Sequence, residues 1–246
     1  MDGIMRAKQR TNRLGDFFRL DPSIVANGTF IDAGAARGVF SERAMNYPYR
    51  KVIAFEPNPS FYGKLFNDFY DVPRFEVHNK ALSSAPGYAD MKICKTSKGG
   101  ELSTLSLDPR KPYKLVRTEL VTIDSYGIDD LHFLKIDVEG HELEVLKGAE
   151  QTLLNNSPMI KLEMSKNHQE TFDYLSELGY RVVGHVMRRD VIPLDGEVKV
   201  VENGWKCDGY TYCRERYDRE WSRPEFEDWP RDLNPFWGDF IFTKEK

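Results

Sequence analysis

The chain has 246 residues, 40% of them hydrophobic and 30% charged, with a formal net charge of −4. This composition suits one soluble domain spanning 1–246 with a real apolar core, and it excludes a bulk electrostatic pull toward nucleic acid or an anionic membrane. The longest apolar runs are strand-sized, far short of the ~20 residues a membrane-crossing helix needs.

Residues 1–22 open the chain as an expected N-terminal helix. Ile4, Leu14, Phe17, Phe18 and Leu20 supply an apolar face over 4–20. The segment is basic but lacks an apolar stretch, so it does not read as a signal peptide. Strands and helices then alternate. GTFIDAG (28–34) is a strand that stops at glycine, Ser41–Tyr47 a short helix closed by Pro48, and KVIAFEP (51–57) a second strand. Pro59–Tyr70 is a helix with Phe61, Leu65, Phe66 and Phe69 at helical spacing, and RFEVHNKAL (74–82) a third strand. Such alternation predicts a parallel sheet covered on both faces. GYADMKICK (87–95) and YKLVRTELVTID (113–124) alternate in polarity and predict an antiparallel excursion, with 96–112, rich in Ser, Gly, Lys and Pro, as a mobile loop between them. The parallel pattern resumes with strand LHFLKID (131–137), one helix over 141–154 and strand PMIKLEM (158–164). A helix over 168–179 ends at Gly179, and YRVVGHV (180–186) and GDFIFTK (238–244) are further strands. Between these last two, 203–237 is dense in aromatic and charged residues and reads as an insertion without a clean period. Cys94, Cys207 and Cys213 form no disulfide framework, so free thiols and the cytoplasm are expected, and the spacing of Cys207 and Cys213 is a poor zinc signature.

The stretch FIDAGAARGVFSERA (30–44) places Asp32, Gly34, Ala35 and Gly38 between a strand and a helix. Glycine permits close ligand approach there, and the helix start offers free N–H groups. The dinucleotide pattern has a glycine where this chain has Asp32. A carboxylate there would repel a pyrophosphate and suits a cationic amino-acid end. Glu56 ends the next strand, where it can accept hydrogen bonds from ribose hydroxyls. A ribose, a cationic amino-acid end and no required phosphate describe S-adenosylmethionine.

These stretches resemble the FkbM-type S-adenosylmethionine-dependent methyltransferases. FIDAGAARGVFS, VIAFEPNPSFYGKL, NKALSSAPG, LVTIDS and FLKIDVEGHELEVLKGAEQTL, then PMIKLEM, run in family order over roughly 28–165. KIDVEGHE with the following LKGA is the most specific block. The resemblance implies an α/β fold: a doubly wound, mostly parallel, seven-stranded Rossmann-like sheet with one antiparallel strand near its edge. It also implies O-methylation of a sugar, glycan or other small-molecule hydroxyl. The expected cofactor-binding residues are Asp32, Gly34, Ala35, Arg37, Gly38, Glu56, Pro57, Asn79, Ala81 and Asp137. The family more usually has Asn-Ile where this chain has Ala36-Arg37.

Methyl transfer to an unactivated hydroxyl needs positioning and a group to take the proton. Asp137 ends the 131–137 strand, Glu139 and His141 follow it, and Glu163 lies near the end of the next strand on the same face as Lys161. Asp137, Glu139, His141 and Glu163 are therefore the candidate catalytic cluster. His141 is an attractive base because its ordinary pKa is near neutral. The same carboxylates suit a divalent metal, and the sequence does not separate metal assistance from a direct base. Glu142 reads as a helix-start acid, His78 and His132 as structural. Trp205, Tyr210, Tyr212, Trp221 and Trp229 form either a stacking wall or a satellite core. Two rival functions remain open. Lys135, Lys161 and the lysines between 92 and 114 keep an RNA ribose 2′-O-methyltransferase in play, and a cofactor-binding domain without catalysis fits the glycine turn alone.

Overall fold

A computed structural model of the chain describes residues 28–95, 101–105, 112–164, 168–187, 190–193, 199–201, 204–207, 210–212 and 238–244. The expected N-terminal helix and most of the 203–237 insertion lie outside the described residues, as do its Trp221 and Trp229. Among the described residues no helix is long and apolar enough to cross a membrane.

Among the described residues the main sheet holds eight strands in the order β11-β10-β15-β9-β8-β1-β2-β3. Here β1 is Thr29–Ala33, β2 Lys51–Phe55, β3 Phe75–His78, β8 Leu131–Ile136 and β9 Met159–Met164. The remaining three are β10 Tyr180–Met187, β11 Asp190–Pro193 and β15 Gly238–Lys244. Strands β3, β2, β1, β8 and β9 are parallel neighbours. β15 inserts antiparallel between β9 and β10, and β11 adds an antiparallel edge strand beyond the expected seven. The α-helices among the described residues are α1 Val39–Ala44, α2 Pro59–Phe69, α3 Glu142–Lys147, α4 Glu150–Asn156 and α5 His168–Glu177.

The central strands are apolar because both sheet faces are covered. β1 is buried along its whole length. Ile31, Leu134, Ile136, Leu146, Leu153, Ile160 and Phe240 meet in one cluster, and Phe30 stacks on Phe133 with ring centroids 5.3 Å apart in another.

Three expectations need correction, and the 203–237 reading gains detail. RFEVHNKAL is not one strand: β3 ends at His78, and β4 (Ala81–Leu82) pairs instead with β7 (Tyr113–Val121). Between them Asn79 donates to the carbonyls of Glu56 and Pro57 at 2.9 and 3.1 Å, which ties down the turn off the main sheet. The helix over 141–154 is two helices. A Cβ on Gly148 would lie 2.0 Å from the Ser83 carbonyl oxygen, so the chain passes β4 too closely for a side chain and α3 stops there. The loop 96–112 contains a strand, β6 (Glu101–Thr104), antiparallel to β5 (Gly87–Lys95). Together β4, β7, β5 and β6 make a second, four-stranded sheet. Finally, Gly204–Cys207 (β13) and Tyr210–Tyr212 (β14), within the insertion, join Lys199–Val201 (β12) in a small antiparallel sheet.

Candidate active site

The strand order reverses between β1 and β8. One half of the chain builds outward through β2 and β3, the other through β9. In open α/β sheets the crevice at such a switch point, at the carboxyl ends of the strands, is where ligands bind. Gly34 and Asp137 stand there side by side. Gly34 has φ +75°, and a Cβ on it would lie 1.9 Å from the Asp137 carbonyl oxygen, so only glycine lets the two strand ends approach.

Above this point opens a cavity of about 130 Å³. Its floor is Gly34, Ala36, Glu56 and Pro57 from the ends of β1 and β2. One side is Lys80, Ala81 and Leu82, the other Asp137, Val138, Glu139 and His141. The second sheet closes it with Met91, Ser103, Thr104 and Leu105. β6 is fastened on both sides of the opening: Asn58 Nδ2 donates to Ser103 Oγ at 3.0 Å, and Thr104 Oγ1 donates to the Glu139 carbonyl at 2.8 Å. That the 96–112 segment forms a strand here is not legible in the sequence, because a short polar run between Gly- and Lys-rich segments carries no apolar period.

Glu56 accepts from the backbone amides of Ala36 at 2.6 Å and Asn58 at 2.8 Å. Burial pushes its carboxyl up to about 7, while the two amides pull the other way. Each oxygen keeps a second lone pair, so the group can also accept hydroxyl donors at the cavity floor. Glu139 sits at φ +56°, an uncommon backbone state for a side chain of its size, just before Gly140. Burial, and then the charges of Asp137 and Glu142, push it to about 7. His141 opens α3 with Nε2 3.0 Å from Ser83 Oγ, and burial lowers its pKa. Buried Glu142 accepts from the Gly140 amide at 2.9 Å and lies outside the cavity lining.

Asp137 lines the cavity and is hydrogen-bonded to Glu163 on β9. Burial opposes its charge. Lys135, the Glu163 hydrogen bond and Lys161 together outweigh that and hold Asp137 below the usual carboxylate range. Asp32 is fully buried behind the glycine turn rather than open to the cavity: Ser41 Oγ donates to it at 2.7 Å, and Lys135 Nζ lies 3.1 Å away. Ala35, Arg37, Gly38, Asn79 and Glu163 also lie outside the cavity lining, whereas Gly34, Glu56, Pro57, Ala81, Asp137, Glu139 and His141 are in it. Arg37 is exposed, its guanidinium 6.0 Å from the Phe61 ring centre. His132 Nδ1 lies 2.8 Å from the Asp130 carbonyl and His78 stacks on Phe55, both away from the cavity. Among the described residues no group of three or more His, Cys, Asp and Glu is arranged to hold a metal ion.

A family model described as the methyltransferase FkbM domain matches residues 32–182, which include both strand ends and the whole acidic side of the cavity. The chain belongs to the FkbM methyltransferase family. A curated relative, the hexuronic acid methyltransferase AglP of Haloferax volcanii, is 27% identical over 128 residues, 51% of this chain and 53% of that protein. The chain thus spans about half the length of that relative. Solved structures of similar fold include a methyltransferase FkbM from Methylobacillus flagellatus, at 16% identity and TM-score 0.48, covering 88% of this chain and 43% of that one. Another is an S-adenosylmethionine-dependent O-methyltransferase from Thermotoga maritima, at 14% identity and TM-score 0.48, covering 100% of this chain and 71% of that one.

Within this FkbM domain the buried lysines Lys135 and Lys161 are the residues sequence reasoning undervalued. They are only 2% exposed. A signal was present: KID and KLE repeat the same lysine-x-acid spacing in adjacent strands that are otherwise apolar.

Proposed function

We propose that the cleft binds S-adenosylmethionine and directs its methyl group to a hydroxyl oxygen of a sugar, glycan or similar small molecule. The observation that carries this reading is the division of labour between two acids on one cavity wall. Asp137 is held ionised, which suits a neighbouring sulfonium. Glu139, two residues on, is poised near neutrality, where a general base works best. When bound, the cofactor supplies a methyl group on a sulfonium, already activated for displacement.

The chain's own residues then have distinct tasks. Gly34 lets the ligand approach the backbone. Glu56 accepts ribose hydroxyls. Asp32, through Lys135 and Ser41, stiffens the turn from behind. Asp137 orients the reacting end, and β6 helps exclude water. In such a transfer Asp137 and Gly34 would hold the reacting end of the donor, and Glu139 would take the proton of the acceptor hydroxyl. AglP is named for a hexuronic acid, which favours a sugar acceptor.

The test is transfer of a carbon-13 methyl from S-adenosylmethionine to hexuronic-acid-bearing oligosaccharides, followed by mass spectrometry before and after mild alkali. A methyl that survives alkali is an ether and supports the reading. An alkali-labile methyl ester would contradict a hydroxyl acceptor, and incorporation into RNA alone would select the ribose alternative.

A further inference from the structure

The peptide that joins Glu139 to Gly140 is held in a way the reaction scheme does not use. Glu139 has φ +56° and Gly140 φ +96°, so two successive residues lie in the left-handed region. Glycine takes that conformation freely. For glutamate it costs on the order of 1–3 kcal/mol and persists only where the surroundings impose it. Both polar atoms of this peptide meet side chains, and the two side chains come from different elements. The carbonyl accepts from Thr104 Oγ1 on β6 at 2.8 Å, and the N–H donates to Glu142 Oε1 on α3 at 2.9 Å.

Glu142 is costly where it stands. It is the first residue of α3, only 3% exposed, and outside the cavity lining. A buried carboxyl demands hydrogen bonds that an apolar side chain there would not. It does not serve as the cap at His141, the residue before the helix: that side chain makes no capping bond, and its Nε2 lies 3.0 Å from Ser83 Oγ instead. The Glu142 side chain reaches back past the helix start into the loop. The plane of the 139–140 peptide is set by ψ of Glu139 and φ of Gly140. Holding it at both ends therefore fixes the strained backbone that places Glu139 on the cavity wall.

We propose that Glu142 is a positioning residue: with Thr104 it clamps the Glu139–Gly140 peptide and so keeps the Glu139 carboxyl where the proton of the acceptor is taken. β6 supplies one jaw and α3 the other. The role needs an accepting oxygen at the Glu142 position rather than a charge. The inference rests on the reading of Glu139 as the base.

Two measurements on the full chain separate the clamp from that reading. The first needs no turnover. Nitrogen-15 NMR follows solvent exchange of the Gly140 amide in wild type, Glu142→Gln and Glu142→Met. Glutamine keeps an oxygen that accepts from the amide, and methionine keeps the length without one. Exchange is expected to be about tenfold faster in Glu142→Met, with Glu142→Gln close to wild type and all three unfolding at similar temperatures. Equal exchange in the three proteins overturns the proposal. The second is turnover with S-adenosylmethionine and hexuronic-acid-bearing oligosaccharides. Glu142→Met is expected to lower kcat about tenfold while KM for S-adenosylmethionine changes less than about twofold, and Glu142→Gln to recover most of the loss. On a Glu139→Gln background the clamp predicts no further loss from Glu142→Met. A repeat of the same loss there marks a general structural role and overturns the proposal, as does wild-type kcat in Glu142→Met. Wild-type kcat in Glu139→Gln refutes the base reading, and the inference with it, even where exchange shows the Gly140 amide held. Should Glu142→Met not fold, Thr104→Val decides: removing the other jaw is expected to speed Gly140 exchange about tenfold, and unchanged exchange is the contrary result.

Discussion

Asp32 and Glu139 illustrate how differently two acids near one crevice are used. Asp32 is walled in with Lys135 as its counter-charge. Asp32→Ala removes the nearer of the two carboxylates paired with the buried Lys135 ammonium and is expected to cost about 3 kcal/mol of stability, read by denaturant unfolding. Glu139 is exposed to the cavity and pushed to about 7. As the base it acts in its ionised form, so turnover rises with pH through about 7. Glu139→Gln is expected to lower kcat at least ~100-fold and abolish that rise, with KM for the cofactor changed far less. If the histidine were the base instead, His141→Ala would take over this phenotype and Glu139→Gln would not. At this scale the sequence was readable where a polar residue terminates an apolar run, which is why Glu56, Asp137 and Glu139 could be placed at the crevice. It was less readable for Asp32, because a residue's position at a strand end does not reveal which neighbour its side chain meets. Lys135 and Lys161 were hardest, since a lysine within a strand is more often solvated than buried.

The elements that build the crevice are the long parallel strands, and their apolar runs announced them. What failed was the shorter punctuation, decided by contacts distant in sequence. Gly148 separates α3 from α4 because β4 runs against it, a contact invisible to helix periodicity. Gly148→Ala would improve local helix propensity but drives a methyl into the Ser83 carbonyl, so the variant is expected to be destabilised by about 1–3 kcal/mol in thermal unfolding. β6 was hidden by its polar context, yet it is pinned to both rims of the cavity through Ser103 and Thr104. Thr104→Val keeps the shape and removes the hydroxyl that bonds the Glu139 carbonyl. Its expected outcome is a kcat loss of about tenfold with the fold intact, because Glu139 is no longer held in its positive-φ conformation. An unchanged kcat would show that β6 covers the cleft without positioning the base.

Across the whole molecule, the cavity acids leave a signature in stability. Glu56 is raised to about 7 in the folded chain, and Glu139 likewise, against about 4.3 for an unperturbed glutamate in the unfolded one. Between those values the folded state binds more protons than the unfolded state, so stability falls as pH rises from about 4.3 through about 7. For Glu56 this amounts to on the order of 3–4 kcal/mol, lost progressively over that window. Thermal unfolding of Glu56→Gln should show a correspondingly flatter pH dependence than wild type. The parallel α/β architecture and the FkbM resemblance were legible because they are spread over many residues, whereas β11 and the β12–β13–β14 sheet depend on pairings that no local pattern announces. The central claim is that this architecture converges on a methyl-donor cleft floored by Glu56. Calorimetric titration with S-adenosylmethionine tests it most directly. Binding at one site is predicted, with no comparable heat from NAD, and Glu56→Ala is predicted to weaken it by about 1–3 kcal/mol. Absence of binding to the folded wild type, or undiminished binding by Glu56→Ala, would contradict the account.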